Sequence, residues 1–351
     1  MILILMCMVV WEHTFFSEMP DILYHNINQF LKNNQVPDER SLISLMELPE
    51  NNQLGRILNL FIENNRLRKT ESQLIPKLSF TNHCSRHCLF CTLRQHNKKI
   101  KRYRLKPEDI IYLSWQIINM GYRTLILQAG HDVNFPFVQI IQVIENLSKQ
   151  VDLKLILSAG EFSFDQFAAL RRAGLDSCML SESIADPDLF RRYHPYTSYL
   201  HRIRAMEWIH SSGLSVSITN RIGLPYQLAN TLYGDAMIFK QIGIDLIALE
   251  PFIPGIGTPL EKANPVPLSL MLKMIAICRL LNPDSTITIS SEIEQIFEGS
   301  IEECIKIGAN AISFPLEKFY VIDESGNYKF DMKPMEEMMN QYKLQIESAN
   351  D

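Results

Sequence analysis

Three cysteines, Cys84, Cys88 and Cys91, fall within eight residues of the stretch "TNHCSRHCLFCTLRQHNKKIKRYR" that begins at Thr81. Thiolates so spaced are metal ligands before they are anything else. A structural zinc site closes its ion with four protein ligands, usually as two separated pairs. This chain offers C-x3-C-x2-C with no second pair downstream, and neither His83 nor His87 stands at the usual spacing for a fourth ligand. A cubane iron–sulfur cluster instead accepts one thiolate per iron. Three thiolates leave one iron open, and an open metal position is where a substrate binds, as at catalytic zinc. The residues favour a cluster with a vacant corner; a zinc site completed by a histidine is the alternative. Of the seven cysteines, the other four (Cys7, Cys178, Cys278 and Cys304) are scattered singly. A disulfide framework would be denser, so a reducing, cytoplasmic setting is expected.

The cysteines directly follow a β-branched, apolar run, "QLIPKLSF" (73–80), and seven similar runs come after it: 123–130, 154–160, 176–181, 214–223, 245–252, 285–290 and 310–315. Between the runs lie amphipathic stretches, which is the alternating βα signal. Pro107 opens one of them with acids in its first turn. Gly121, Gly174, Gly213, Gly243 and Gly308 each precede a strand run, as residues that end a helix and turn the chain back into a sheet do. Eight units in series predict a closed (β/α)8 TIM-type barrel, with an open doubly wound sheet as the rival. The tail "DMKPMEEMMNQYKLQIES" is the expected closing helix. Residues 1–72 are read as a mostly helical N-terminal extension and 73–351 as the barrel domain. In a barrel the C-terminal strand ends and the loops after them carry the site; the cysteines sit after the first strand.

Composition sets broad limits. The chain has 351 residues, is 46% hydrophobic and carries a formal charge of -5, which gives no sign of a nucleic-acid or anionic-membrane partner. The opening "MILILMCMVVW" is an apolar run of eleven residues, where a spanning helix needs about 20. It lacks the basic n-region and cleavage site of a signal peptide. A buried strand or helix, or a start codon placed too early, is expected, with a membrane anchor as the alternative. From Arg94 to Lys106 seven of thirteen residues are Lys or Arg and none is acidic. Tyr103 is the only aromatic among them, so the run reads as a solvated face or loop rather than a nucleic-acid patch.

C-x3-C-x2-C at the end of a first barrel strand, with Phe90 just before the last cysteine, resembles the radical S-adenosylmethionine (radical SAM) superfamily. The run from Leu78 to Pro315 resembles its biotin-synthase-like branch and, most of all, the HydE family of [FeFe]-hydrogenase maturases. The phrases that carry this are "CLFCTLRQHNKKIKRYRLKPEDI", "TLILQAGHD", "YHPYTSYLHRI", "GLP", "PFIPGIGTPL" and "MLKMIAICRLLNPDSTI". The resemblance implies a [4Fe-4S] cluster on Cys84, Cys88 and Cys91 whose open iron is chelated by S-adenosyl-L-methionine. Reductive cleavage would then give a 5′-deoxyadenosyl radical that takes a hydrogen atom from a small-molecule substrate. It implies that the basic run is scaffold behind the cysteine loop, and it implies an external electron donor, a reductase or a flavodoxin- or ferredoxin-type protein, which that run could also dock. A HydE-like role in hydrogenase maturation is the first expectation. A related enzyme acting on an amino acid or other small substrate, in the manner of methylornithine synthase, is the second. A non-enzymatic zinc or electron-transfer protein is the third.

By the same resemblance Arg202 is the arginine that meets the cofactor carboxylate, for which its planar fork is suited; otherwise it is a surface arginine on a helix. Phe90, Gly130 and Ser158 are expected cofactor contacts. Glu161, in "LSAGE", is a cofactor contact and the candidate catalytic carboxylate, its alternative being a first-turn helix acid. Glu250, Pro254 and Arg104 are weaker candidates, and Met179 is expected as core filler. Two departures from the HydE pattern stand out. His131 follows Gly130 where the family has a glutamate, leaving a backbone carbonyl or Asp132 to accept from the cofactor ammonium. "SESIAD" (Ser181 to Asp186) replaces "RHETAN", with Glu182 one position out of step and so on the other face of a strand. No cysteine follows Cys304, so the second cluster motif that HydE proteins often carry near the C-terminus is not expected here.

Overall fold

A computed structural model describes residues 21–66, 72–149, 152–181, 185–322, 328–330 and 337. The N-terminal apolar run, Glu182 and Ser183, and, apart from residue 337, the tail expected to form a closing helix lie outside the described residues. Eight parallel strands close on themselves in chain order: β1 (Gln73–Thr81), β2 (Thr124–Ala129), β3 (Lys154–Ser158), β4 (Ser177–Ser181), β5 (Ser215–Ile222), β6 (Leu246–Pro251), β7 (Thr286–Ser290) and β8 (Ala311–Pro315). β8 pairs back onto β1 with Leu74 against Ile312. All eight runs read as strands are strands, and the barrel is closed.

A helix over residues 21–32 (α1), α2 (Glu39–Glu47) and α3 (Asn52–Arg66) precede β1. The others alternate with the strands: α4 (Pro107–Asn119), α5 (Phe137–Leu147), α6 (Phe164–Arg172), α7 (Pro187–Tyr193), α8 (Tyr199–Ser211), α9 (Ala229–Ile242), α10 (Leu268–Leu281) and α11 (Ser300–Ile307). The sequence gives direct reasons for several of their ends. Pro107 opens α4 ahead of Glu108 and Asp109, and Ser163 and Gln166 close a reciprocal capping box on α6. The five glycines read as helix stops all have positive φ, from 70° to 146°. α2 and α3 pack on α9, α10 and α11, which is why α10 is buried on every side from Met271 to Leu281. Lys273 of α10 donates its ammonium to the carbonyls of Met46 and Leu48 at the C-terminal end of α2.

The barrel interior is layered by the period of two along a strand. Ile75, Ile126, Ile156, Met179, Leu246, Ala248 and Ala311 form an apolar floor. Two residues further along the same strands stand Lys77, Gln128, Ser158, Ser181, Glu250 and Ser313, which line a polar chamber of about 300 Å³. Met179 fills the core, as expected. At the top of β1 the register against β2 shifts between Ser79 and Thr81. This bulge turns the chain out of the sheet just before the cysteines.

Candidate functional site

The loop after β1 is held by its own basic run. Arg102 donates to the carbonyls of Leu93 (2.9 Å), Arg94 (2.7 Å), Asn97 (3.1 Å) and Asn82. A guanidinium is suited to this because its fork presents five donors in one plane. Asn97, buried in the same loop, donates to the carbonyls of Thr92 and Ile256, both at 2.9 Å, and so ties the loop to the segment after β6. These contacts fit the scaffold reading of the run.

The end of β2 meets the cysteine loop backbone to backbone. Ser85 N donates to the His131 carbonyl at 2.9 Å. The amides of His131 and Arg86 point at Cys84 Sγ from 3.3 and 3.4 Å. Such N–H donors stabilise a thiolate and tune a cluster bound through it. A Cβ on Gly130 would lie 2.8 Å from Cys84 Cβ and closer still to the His83 carbonyl oxygen. The glycine is therefore required by the close approach of the two segments. All six described cysteines are thiols without disulfides.

Asp132 apart, the residues expected as ligands or cofactor contacts line one cavity of about 150 Å³ at the C-terminal mouth of the barrel: Cys84, Cys88, Cys91, Phe90, Gly130, Ser158, Glu161 and Arg202. Gln128, Ser158, Ser181 and Arg221 border both this cavity and the polar chamber below it. The cysteines share a wall without meeting at a point. Among the described residues no three Cys, His, Asp or Glu side chains converge on a single metal ion. A cluster that takes one thiolate at each of three irons does not require such convergence. The donor set of three thiols with inward-facing amides fits a cluster.

Glu161 and Arg202 are found together. Arg202 on α8 is buried, so it is not a surface arginine; its Nε donates to Glu161 Oε1 at 2.6 Å and a terminal nitrogen to the Ser181 carbonyl. Glu161 Oε2 accepts from Arg86 at 2.7 Å and lies 3.3 Å from His201 Nδ1. The Glu161 side chain is 2% exposed. Burial alone would raise its pKa, but Arg202, Arg86 and His201 together hold it below the ordinary carboxylate value. Glu161 precedes the cap residue Ser163, so it is not a first-turn acid of α6. Its geometry is that of an anion that fixes two arginines at the cavity wall.

Asp132 does not swing toward the cysteines. Its carboxylate is clamped by Arg104 at 2.6 and 2.8 Å and by Thr81 Oγ1 at 2.8 Å. Burial opposes ionisation there, and these donors outweigh it, so its pKa is lowered. Asp132 lines a separate surface cleft between the β2 and β3 loops, not the cysteine cavity. Arg104 is likewise turned to Asp132. His131 does line the cysteine cavity, with Nδ1 2.8 Å from Ser85 Oγ. Its ring fills the space over Gly160, where a Cβ would come within 2.5 Å of Cδ2. Glu250 lies in the polar chamber, paired with Lys77 Nζ at 2.9 Å. Burial disfavours its charge, but Lys77 and Arg221 hold its pKa down. Pro254 lines neither space.

The sequence reading gave no role to Arg86, His194, Thr197 or Arg221, all of which line the cavity. Arg86 reaches Thr197 Oγ1 at 3.3 Å as well as Glu161, and Arg221 lies over the Phe90 ring at 5.3 Å. A signal was present for three of them, since Arg86 stands between two cysteines and His194 and Thr197 lie within the quoted "YHPYTS".

Comparison with known proteins agrees with this architecture. Residues 78–232 match the Radical SAM superfamily profile, and residues 246–340 that of the Biotin and Thiamin Synthesis associated domain. The [FeFe] hydrogenase maturase subunit HydE of Thermotoga maritima is 32% identical over 235 residues, 67% of each chain. A 3-methylornithine synthase of Methanosarcina acetivorans is 24% identical over 259 residues, 72% of each chain. Among solved structures, the FeFe-hydrogenase maturase HydG of Carboxydothermus hydrogenoformans superposes with a TM-score of 0.71 at 18% identity, covering 93% of this chain and 81% of that one. Methylornithine synthase (PylB) does so with a TM-score of 0.69 at 18% identity, over 94% and 97%. At these identities the structural likenesses speak for the fold.

Proposed function

This chain belongs to the radical S-adenosylmethionine superfamily, and from that premise we propose that it is a HydE-like enzyme serving [FeFe]-hydrogenase maturation. Cys84, Cys88 and Cys91 would hold a [4Fe-4S] cluster, and Arg202, Ser158, Gly130 and Phe90 would line the S-adenosyl-L-methionine site beside it. When bound, that pair supplies a 5′-deoxyadenosyl radical for hydrogen-atom abstraction. The single observation that carries the reading is the convergence of these seven residues, with Glu161, on one cavity directly above the polar chamber.

This chain's own residues have separable tasks. The Cys84 sulfur is held by two backbone amides. Arg202, kept extended by Glu161, presents a guanidinium to the cavity where a carboxylate can be met. Glu161 is committed to its cationic partners and serves as an anchor rather than a base. The barrel walls seal the chamber on its floor with apolar side chains, which keeps water from a reactive intermediate. Lys77, Glu250 and Arg221 give that chamber charges of both signs, suited to a small polar substrate rather than an apolar one. The residues from Pro251 to Leu260 and the helix after them, α10, carry the HydE-like phrases, which favours HydE over the methylornithine synthase branch.

No described helix is long and apolar enough to cross a membrane, and a small-molecule substrate with a protein electron donor, in a cytoplasmic setting, completes the proposal. The test is anaerobic reconstitution with iron and sulfide, followed by dithionite and S-adenosyl-L-methionine. Formation of 5′-deoxyadenosine, lost in Cys88→Ala, is expected. Stoichiometric zinc with no cluster absorbance would overturn the reading in favour of a zinc protein. Restoring hydrogenase activity in a cell-free maturation mixture that lacks HydE tests the client. Nucleoside formation without such rescue would favour another small substrate.

A further inference from the structure

We infer that His194 is a positioning residue for the cluster, donating a hydrogen bond from Nδ1 to the sulfur of Cys88 and thereby setting the reduction potential. The inference rests on Cys88 being a cluster ligand.

The two side chains come from positions 106 apart and meet with Nδ1 3.2 Å from Sγ. The imidazole is held there from several directions. It stacks on Phe190 at 4.5 Å with planes 26° apart, and Phe90 meets it edge-on at 5.5 Å. Its backbone closes α7, with the amide donating to the Phe190 carbonyl at 2.9 Å and the carbonyl accepting from Thr197 at 3.0 Å. Leu89, next to Cys88, donates its amide to the Tyr193 carbonyl at 3.0 Å, locking the two segments in register. His194 is 4% exposed, so the contact is made out of water, where a hydrogen bond is electrostatically stronger.

The chemistry of the partner fixes which nitrogen carries the proton. An iron-bound thiolate has no hydrogen and only accepts. A neutral imidazole has one N–H, so the tautomer compatible with the 3.2 Å contact is the one with the proton on Nδ1. A donor aimed at a cluster sulfur stabilises the reduced, more negative state and raises the potential. Cys84 receives two backbone amides, which a change of side chain other than to proline leaves in place. Cys88 receives a side chain, which evolution or an experimenter can change.

The experiment compares full-length wild type, His194→Phe and His194→Asn, each reconstituted with iron and sulfide and titrated anaerobically without S-adenosyl-L-methionine. The midpoint is read from the electron-paramagnetic-resonance signal of the reduced cluster. Phenylalanine keeps the stacking and removes the donor; asparagine keeps a short N–H donor. The expected result is about a tenfold shift of the reduction equilibrium toward the oxidised cluster in His194→Phe, about 59 mV for one electron, with most of it restored in His194→Asn. A weak nitrogen hyperfine coupling should also appear in wild type labelled with ¹⁵N-histidine. Equal midpoints in all three proteins would overturn the inference. So would the absence of any coupling in labelled wild type, a readout that holds even if His194→Phe does not fold. A coupling of the size of a direct iron–nitrogen bond overturns it too, because His194 would then be a ligand. Wild type that takes up no iron and sulfide removes the cluster reading first and is recognised before any variant is made.

Discussion

Replacing Glu161 with glutamine removes one charge and almost no volume, yet it should be among the more damaging single changes in the barrel. The carboxylate is 2% exposed and accepts from Arg202 at 2.6 Å and Arg86 at 2.7 Å. An amide offers one acceptor oxygen in place of two. Whichever way it turns, its NH2 faces a guanidinium N–H, donor against donor. Arg202, whose side chain is 9% exposed, then keeps its charge without an ionic partner in Glu161. Breaking a buried pair by removing one member costs about 3–5 kcal/mol, a large part of the roughly 5–15 kcal/mol that holds a domain folded. The assay is equilibrium unfolding in urea, chosen because guanidinium would screen the ions under test. At neutral pH the Glu161→Gln transition should move to lower urea by that amount. A cycle through Arg202→Ala should show about 0.5–3 kcal/mol of coupling, the double variant being less unstable than the sum of the singles. The pH dependence has a definite sign. Glu161 titrates below its ordinary value of 4.5 when folded, so its contribution is fully present above 4.5 and is lost as pH falls through the folded pKa. The gap between wild type and Glu161→Gln should therefore be wide at neutral pH and close on acidification. A shift within about 0.5 kcal/mol at neutral pH, as for an ordinary surface change, or strict additivity with Arg202→Ala, would refute the anchor.

Two further outcomes follow from the same geometry. Gly130→Ala should loosen the cysteine loop, because its Cβ would lie 2.8 Å from Cys84 Cβ with the His83 carbonyl nearer still; iron content after reconstitution should fall and the melting temperature drop. Gly55→Ala in α3, with nothing within 4 Å of the added carbon, should instead stabilise the fold by about 0.4–1 kcal/mol, and equal behaviour of the two would discount the steric argument. Lys77→Met should leave Glu250 buried without its 2.9 Å partner and lower stability by about 3–5 kcal/mol, while Lys77→Met with Glu250→Leu recovers most of the loss; a double variant as unstable as the single would count against the pair.

Some parts of this protein were legible one residue at a time, and others were not. The eight strands could be read because each is a short run rich in apolar residues, seven of the eight with β-branched ones, bounded by a glycine or cap that acts locally. The cysteine motif could be read because its three ligands share one loop of eight residues. Arg202 could be marked only through family resemblance, since nothing within α8 distinguishes it from a surface arginine. The environment of Glu161 had no local signal at all. Arg86 is 75 residues before it and Arg202 is 41 after it, and their meeting depends on the closure that brings the β1, β3 and β4 loops to one mouth. Asp132 shows the reverse case. Sequence places it beside His131 as a substitute acceptor, while the bulge at the top of β1 sets Arg104 and Thr81 in position to claim it.

What the chain specified by itself was the chemistry available and the scaffold to present it: three thiolates after a first strand, and eight repeats that close because each strand must pair on both edges. What only the folded structure decided was the company each group keeps. Ligand spacing and strand period are fixed by covalent geometry over a few residues. Whether a carboxylate is a base or an anchor, and which sulfur a histidine faces, is set by burial and by partners brought from distant parts of the chain, because the energy of a charge depends on what surrounds it in space.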